Sequence, residues 1–547
     1  MKLFNKILAL SLCAVAVTSC DDLDTEYLGN YVTTEQKKDA LDKKPELALA
    51  GVTAMFSQYN TYESIYASHF DFGYPSLMLG MDCQGQDMGS KYSGYNWFQS
   101  WAAYNECNPD GSPSNMMWAL VYKNVKIAND VMATIDPATE DPELMLFLAQ
   151  AYAMRAFDYF NLAQTFQFTY KGNESKPCVP IVTNLNATEC ATNGVPRNTV
   201  EEVYTQIIND LNEAVRLLET TNLTPERVMD SKPKRMVSLA VAYGLRARVN
   251  LVMNNWAGAA EDARAAINSF SGRPYSITEM QRPAFNNIED QSWMWGIAVA
   301  ETDRVVTSGI VNFPSHMGSL NDGYVTNGAW RWCNKLLFES IPTRDVRKGW
   351  FLDENLNSSH LTDAELEYLH QFKSKDGNVT YEFDQTNVLM PYTQVKYAPY
   401  QNVIEQGTNA SDIPLMRVEE MYYIYAEATA MGGNAPAARD FLEQFVQTYR
   451  NPTYTTSAST PEALREEIWH ERRIEFWGEG ISWFDLMRLN KPMDRRGGAF
   501  PNAFTYNIEP GSSALLYCIP QTEITANAQI SVGDNNPSSS RPTPIVD

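Results

Sequence analysis

Residues 196–218 read PRNTVEEVYTQIINDLNEAVRLL, and the fold class turns on this stretch. Val203, Ile207, Leu211, Ala214, Val215 and Leu218 recur at steps of three and four, which puts them on one face of a helix. Thr199 stands three residues before Glu202, the spacing at which a hydroxyl caps the first turn and the carboxylate returns the bond. Upstream, Leu144, Leu148, Tyr152, Arg155, Tyr159, Leu162 and Phe166 form one stripe of a helix over 144–166, with Pro177 and Pro180 as its stop. Downstream, the Ala, Leu and Val rich run 237–252, a turn at Asn254 and Asn255, and the stretch NWAGAAEDARAAI (255–267) predict two more helices. Antiparallel helix pairs with small residues at their crossing are the pattern of tetratricopeptide repeats.

From about 272 to 400 the periodicity weakens and aromatics, Asn, Gly and Pro accumulate, which predicts loops and short elements laid over a helical body. Trp293 and Trp295 alternate around Met294 as in a half-buried strand. Helices resume over 414–431, 436–449 and 461–477, the last with Thr460 as cap and Pro461 in its first turn. The final fifty residues, rich in Pro, Asn and Ser, predict an extended tail wrapped over the surface. The fold class is mostly α.

Lys2 and Lys6 followed by an apolar run over 7–17 make a secretory leader, too short to span a bilayer. Val17, Thr18, Ser19 and Cys20 match the bacterial lipobox, so residues 1–19 are expected to be cleaved and Cys20 to carry the lipid anchor. The acidic run Asp21, Asp22, Leu23, Asp24, Thr25, Glu26 opens a tether over 20–44 and resembles the surface-export signal of Bacteroidetes lipoproteins. Without the leader the chain has 41 basic and 66 acidic residues, a formal charge of −25. Such a chain repels phosphate backbones, which excludes nucleic acid as a partner. Of the six remaining cysteines, Cys178 and Cys190 close the shortest loop if any pair is bridged. None forms a CxxC or zinc pattern, and no metal or cofactor is expected.

Five blocks in order carry a resemblance. They are AQAYAMRAFDYFNLAQTF (149–166) with KPCVPIVT (176–183), the 196–218 helix, DIPLMRVEEMYYIYAEA (412–428), IWHERRIEFWGEGISWFDLMRL (468–489) and YCIPQTEITANAQI (517–530). Together they resemble the SusD/RagB family of outer-membrane nutrient-binding lipoproteins, with Ser482 where an Arg is usual and Glu419 where an Ala is commoner. The resemblance implies a SusD-like fold of four tetratricopeptide-like pairs with a loop-rich insertion. It also implies an outer-membrane protein, lipid-anchored and facing outward, that delivers oligosaccharides to a SusC-like TonB-dependent transporter. One domain is expected over 45–547, with helical repeats at about 45–271 and 412–490 and a ligand-binding region at about 272–411.

A catalytic reading has little material. Glu471, Glu475, Glu479 and Asp485 lie beside Arg472, Arg473 and Arg488, and arginine partners lower a carboxyl's pKa and spoil it as the general acid a glycosidase needs. A structural ion network is expected there instead. His470 and Glu471 begin a zincin-like motif, but Ile474 stands where its second histidine belongs. The chain is therefore expected not to be an enzyme. Aromatic residues offer more, since a sugar presents an apolar C–H face to a ring and hydroxyls to Asp or Asn. Loops rich in Gly and Asn carry Tyr92, Tyr95, Trp97, Phe98, Trp101 and Tyr104 in one place and Tyr324, Trp330 and Trp332 in another. Trp97, Trp101, Tyr324 and Trp330 are the expected glycan platform, with Asp82 as hydroxyl partner. A peptide or glycopeptide receptor of the RagB type is the alternative.

Overall fold

A computed structural model of the chain describes residues 53–60, 68–92, 94–104, 108–228, 231–374, 387–538 and 542–545. The leader, Cys20 and the tether lie outside the described residues. The first helix, α1 (Tyr74–Gln84), is buried along its whole length. A run of eight longer helices follows: α2 (Ser112–Thr134), α3 (Pro142–Phe166), α4 (Val200–Thr221), α5 (Leu239–Val252), α6 (Trp256–Ser269), α7 (Val418–Met431), α8 (Ala435–Tyr449) and α9 (Pro461–Glu475). From α2 to α8 each packs on the next in chain order, and α9 lies on both α7 and α8. Eight helices stacked this way are four pairs of a repeat, each burying its stripe against its neighbours. The short helix α10 (Ser482–Arg488) ends the helical body.

The caps explain where these helices start. Asp141 accepts hydrogen bonds from the Glu143 and Leu144 amides with Pro142 in the first turn, and Thr460 accepts from Ala463. At α4 the Thr199–Glu202 capping box is complete in both directions. Small side chains set the crossings: α6 buries Ala259, Ala263 and Ala266, so α5 and α7 approach it closely.

Four expectations need correction. The helix α3 ends at Phe166 as expected, but its stop is not Pro177 or Pro180: Gln167 turns extended, and its side-chain amide donates to the Pro177 carbonyl at 2.8 Å. Residues Ile413–Arg417 are not helix but a strand, β4, paired antiparallel with β2 (Trp293–Ile297). That pair is buried on both faces, so Trp293 and Trp295 belong to a fully covered strand; Trp295 packs edge-on against Phe56 and Phe157 at 5.4 and 5.2 Å. The tail does not only wrap the surface, since Ala514 to Ile519 are buried and Tyr517 donates to the Gln84 side chain at 2.9 Å.

The insertion between α6 and α7 contains short elements, as expected. Among them β3 (Arg331–Cys333) pairs antiparallel with β1 (Met88–Ser90), joining the insertion to the segment after α1. Gly89 is required there, because a Cβ would sit 2.2 Å from the Trp332 indole nitrogen. Cys178 and Cys190 are unbridged, and burial pushes the Cys178 thiol up to about 12.

Candidate glycan-binding surface

The strand pair β1–β3 positions two loops side by side. After β1 the chain runs through Lys91 to Phe98, and Asn96 pins this loop. Its amide donates to Ser90 Oγ at 3.1 Å and to the Lys91 carbonyl at 2.8 Å, and its carbonyl oxygen accepts from the Phe98 amide at 3.2 Å. With Asn96 and Phe98 turned inward, Trp97 is turned out and is 37% exposed; Tyr92 and Tyr95 of the same loop are more than half exposed. These are the large aromatic side chains that stand out from the surface among the described residues.

Trp97 has a built underside. Its ring stacks on the exposed imidazole of His69, with centroids 4.3 Å apart and 16° between planes. His69 Nδ1 is hydrogen-bonded to the Tyr324 hydroxyl, and the Tyr324 ring stacks on His316 at 4.4 Å. His316 in turn stacks on Phe72 at 5.2 Å and bonds the His69 carbonyl at 2.9 Å. Burial pushes the Tyr324 phenol up to about 12 and holds His316 well below the usual imidazole range, so both are neutral at neutral pH. The result is a layered aromatic stack, neutral at its floor, with one indole face open to solvent.

The structure brings Trp97 and Tyr324 of the expected platform together and separates off the rest. Trp101 is 1% exposed, packed between Phe70 and Phe98 and against α1, where Gly80 leaves room for the indole. Trp330 is fully buried, donating to the Asn387 carbonyl at 3.2 Å with its ring 5.3 Å from Phe372. Neither can stack on a sugar. Asp82 is likewise no hydroxyl partner: burial pushes its carboxyl well above the usual range, and it accepts the Gly480 amide at 2.8 Å. Tyr324 is buried too, and contributes through its hydroxyl and as floor. His69 and Asn96 were missed, because a lone histidine and a lone asparagine carry no periodic signal.

The acids of 468–489 form the expected network, but with partners from further away. Glu475 meets Arg450 at 2.6 Å, Arg417 at 3.0 Å and Arg347 at 3.4 Å, all fully buried. Glu479 pairs with Arg417 and Lys396, Glu471 with Arg347, and Asp485 with Arg472 and Arg488. Burial alone would raise the Glu475 carboxyl; Arg450 and Arg417 overcome it and hold it well below the usual range. Arg473 leaves the block altogether for Asp87 at 2.5 Å. Glu471 departs from the expected lowering, because burial outweighs the Arg347 guanidinium and pushes its carboxyl up to about 7. Together these buried contacts tie α7, α9 and the insertion to one another.

A four-pair helical repeat with exposed aromatic side chains on a loop beside it defines a helical-repeat scaffold protein. The chain belongs to the SusD/RagB-like family. A model of the SusD family matches residues 340–537, and a model described as starch-binding and associating with the outer membrane matches residues 41–251. Association with the outer membrane comes with that membership. A SusD-like protein from Bacteroides ovatus is 23% identical over 512 residues, 89% of this chain and 83% of that one. SusD-like protein P38 from Formosa agariphila is 24% identical over 426 residues, 72% and 76% of the two chains. Among solved structures, a SusD-like carbohydrate binding protein from Bacteroides vulgatus superposes with a TM-score of 0.70 at 23% identity, over 92% of this chain and 98% of that one. Surface glycan-binding protein A from Bacteroides thetaiotaomicron, in complex with laminarihexaose, gives 0.62 at 18% identity, over 90% and 99%.

Proposed function

We propose that this protein captures oligosaccharides on the open face of Trp97, held at the cell surface by a lipid on Cys20, and passes them to a SusC-like TonB-dependent transporter without chemistry of its own. The observation that carries the reading is the stack itself. An indole with one face on His69 and the other in solvent offers a sugar a flat apolar surface that costs no side-chain ordering on binding. Tyr92 and Tyr95 extend that surface along the same loop. The two similar structures whose descriptions name carbohydrate or laminarihexaose support a saccharide as ligand. Residues from 45 onward act as one domain in this reading, with the ligand face supplied by 68–98 as well as by the insertion.

Isothermal titration of the protein lacking residues 1–20 against an oligosaccharide panel tests it, with Trp97→Ala beside the wild type. The variant is expected to lose affinity severalfold while melting at the same temperature. Equal affinity in a folded Trp97→Ala places the ligand elsewhere, and a wild type that holds peptides but no sugar makes it a peptide receptor. Cys20→Ala is expected to leave the membrane fraction, and its retention there would end the anchor reading.

A further inference from the structure

Beneath the stack lies a charge that no carboxylate among the described residues balances. Arg331, on β3, is fully buried. Its guanidinium donates to Asn96 Oδ1 at 2.9 Å and to the His316 carbonyl at 3.3 Å, and lies 5.9 Å from the Phe98 ring. It forms no ion pair among the described residues, and its Nη2 has no hydrogen-bond partner. Both of its acceptors belong to residues that build the surface, Asn96 pinning the Trp97 loop and His316 stacking under Tyr324.

Other buried arginines are treated differently. Arg347, Arg417 and Arg450 each meet carboxylates, so their charge is cancelled where it sits. Arg495 has no carboxylate either, but it spends its guanidinium on five backbone carbonyls, those of Cys83, Gln84, Gly85, Ala102 and Phe504. Buried Arg472 also leaves its Nη1 without a partner, but it meets Asp485; Arg331 combines an unused donor with no carboxylate among the described residues. Burial lowers its pKa, yet an arginine stays charged at any physiological pH. An uncompensated charge in a low-dielectric interior projects its field outward rather than spending it locally. The two groups Arg331 bonds, Asn96 and His316, are those that build the Trp97 surface, on a protein whose formal charge is otherwise strongly negative.

Resting on the reading of Trp97 as the sugar platform, we infer that this surface selects sugars that carry negative charge, hexuronates or sulfated hexoses, with Arg331 supplying the positive potential beneath them. The guanidinium need not touch the ligand. A unit charge acting over about 8–10 Å at an effective dielectric near 20 favours an anion roughly twentyfold. Such a preference decays with added salt.

The test uses acidic oligosaccharides, each with an uncharged twin: galacturonate oligomers against their methyl esters, and sulfated hexose oligomers against desulfated ones. Titrated at low salt, one charged class is expected to bind about twentyfold more tightly than its twin, and which class it is distinguishes a carboxylate from a sulfate ester. High salt should shrink the gap. Arg331→Gln is expected to close it, the charged sugar losing far more affinity than its uncharged twin, while Arg331→Lys keeps it. A charged sugar held no better than its twin by the wild type overturns the inference and leaves the sugar platform standing; so does a preference that survives in Arg331→Gln. Should Arg331→Gln not fold, the wild-type twins and their salt dependence decide. A wild type that holds none of the sugars, charged or uncharged, overturns both readings.

Discussion

The ion network around Glu475 and the aromatic stack under Trp97 solve opposite problems with similar materials. In the network every charge faces an opposite charge and is sealed from water, so breaking one contact strands the others. In the stack the buried groups, Tyr324 and His316, are neutral and the outermost ring is left 37% exposed. The comparison teaches that charge in this protein holds helices and insertion together, whereas in the proposed reading recognition falls to rings on loops. Arg331 stands between the two, buried like the network and unbalanced like a binding site.

The sharpest way to break the contrast is to remove Glu475. Glu475→Ala leaves Arg347, Arg417 and Arg450 short of a carboxylate in the interior, and a loss of about 3–5 kcal/mol of stability is expected in urea unfolding. Affinity for a bound sugar should be unchanged in the molecules that stay folded. A normal unfolding curve would show that the network carries no load.

Acid should attack the same region. Glu475, Glu479 and Asp485 are held below their ordinary values by arginine and lysine partners that outweigh burial. Groups depressed in the folded state contribute stability that is present above their unfolded values and lost as pH falls toward the folded ones. The melting temperature is therefore expected to hold from neutral pH down to about 5 and to drop below that. A melting temperature flat to pH 3 would contradict the assignment.

Trp101→Ala and Trp97→Ala sharpen the contrast within one loop. Trp101 is sealed against Phe70, Phe98 and α1, so its truncation is expected to cost about 3–5 kcal/mol of stability with little effect on ligand affinity in the folded fraction. Trp97→Ala should do the reverse, lowering affinity by about 0.5–1.5 kcal/mol without moving the melting temperature. Smallest of all is Tyr324→Phe, which removes the hydroxyl under His69 and frees that ring to tilt; a loss of about 1 kcal/mol in affinity is expected by titration. If Trp101→Ala weakens binding more than Trp97→Ala at equal foldedness, the two rings have been given the wrong roles.

The sequence by itself determined the helical frame. Helix faces, caps and turns depend on residues within four positions of one another, so Thr199 with Glu202, Thr460 with Pro461 and the Ala-rich run after Asn255 each announce an element that the structure contains. The order of the five blocks was enough to indicate the family before any fold was known. Only the tertiary structure decided which rings face water, because Trp101, Trp330 and Trp97 sit in similar Gly and Asn rich stretches. What separates them is a distant neighbour: Phe70 and Gly80 cover the first, Asn387 and Phe372 the second, while His69 lies under the third and leaves it 37% exposed. The same holds for Ile413–Arg417, a strand because Trp293–Ile297 pairs with it, and for Glu475, whose arginines come from three remote segments. Periodicity is a local property and burial is not, so a sequence can state that a side chain is aromatic without stating what lies against it.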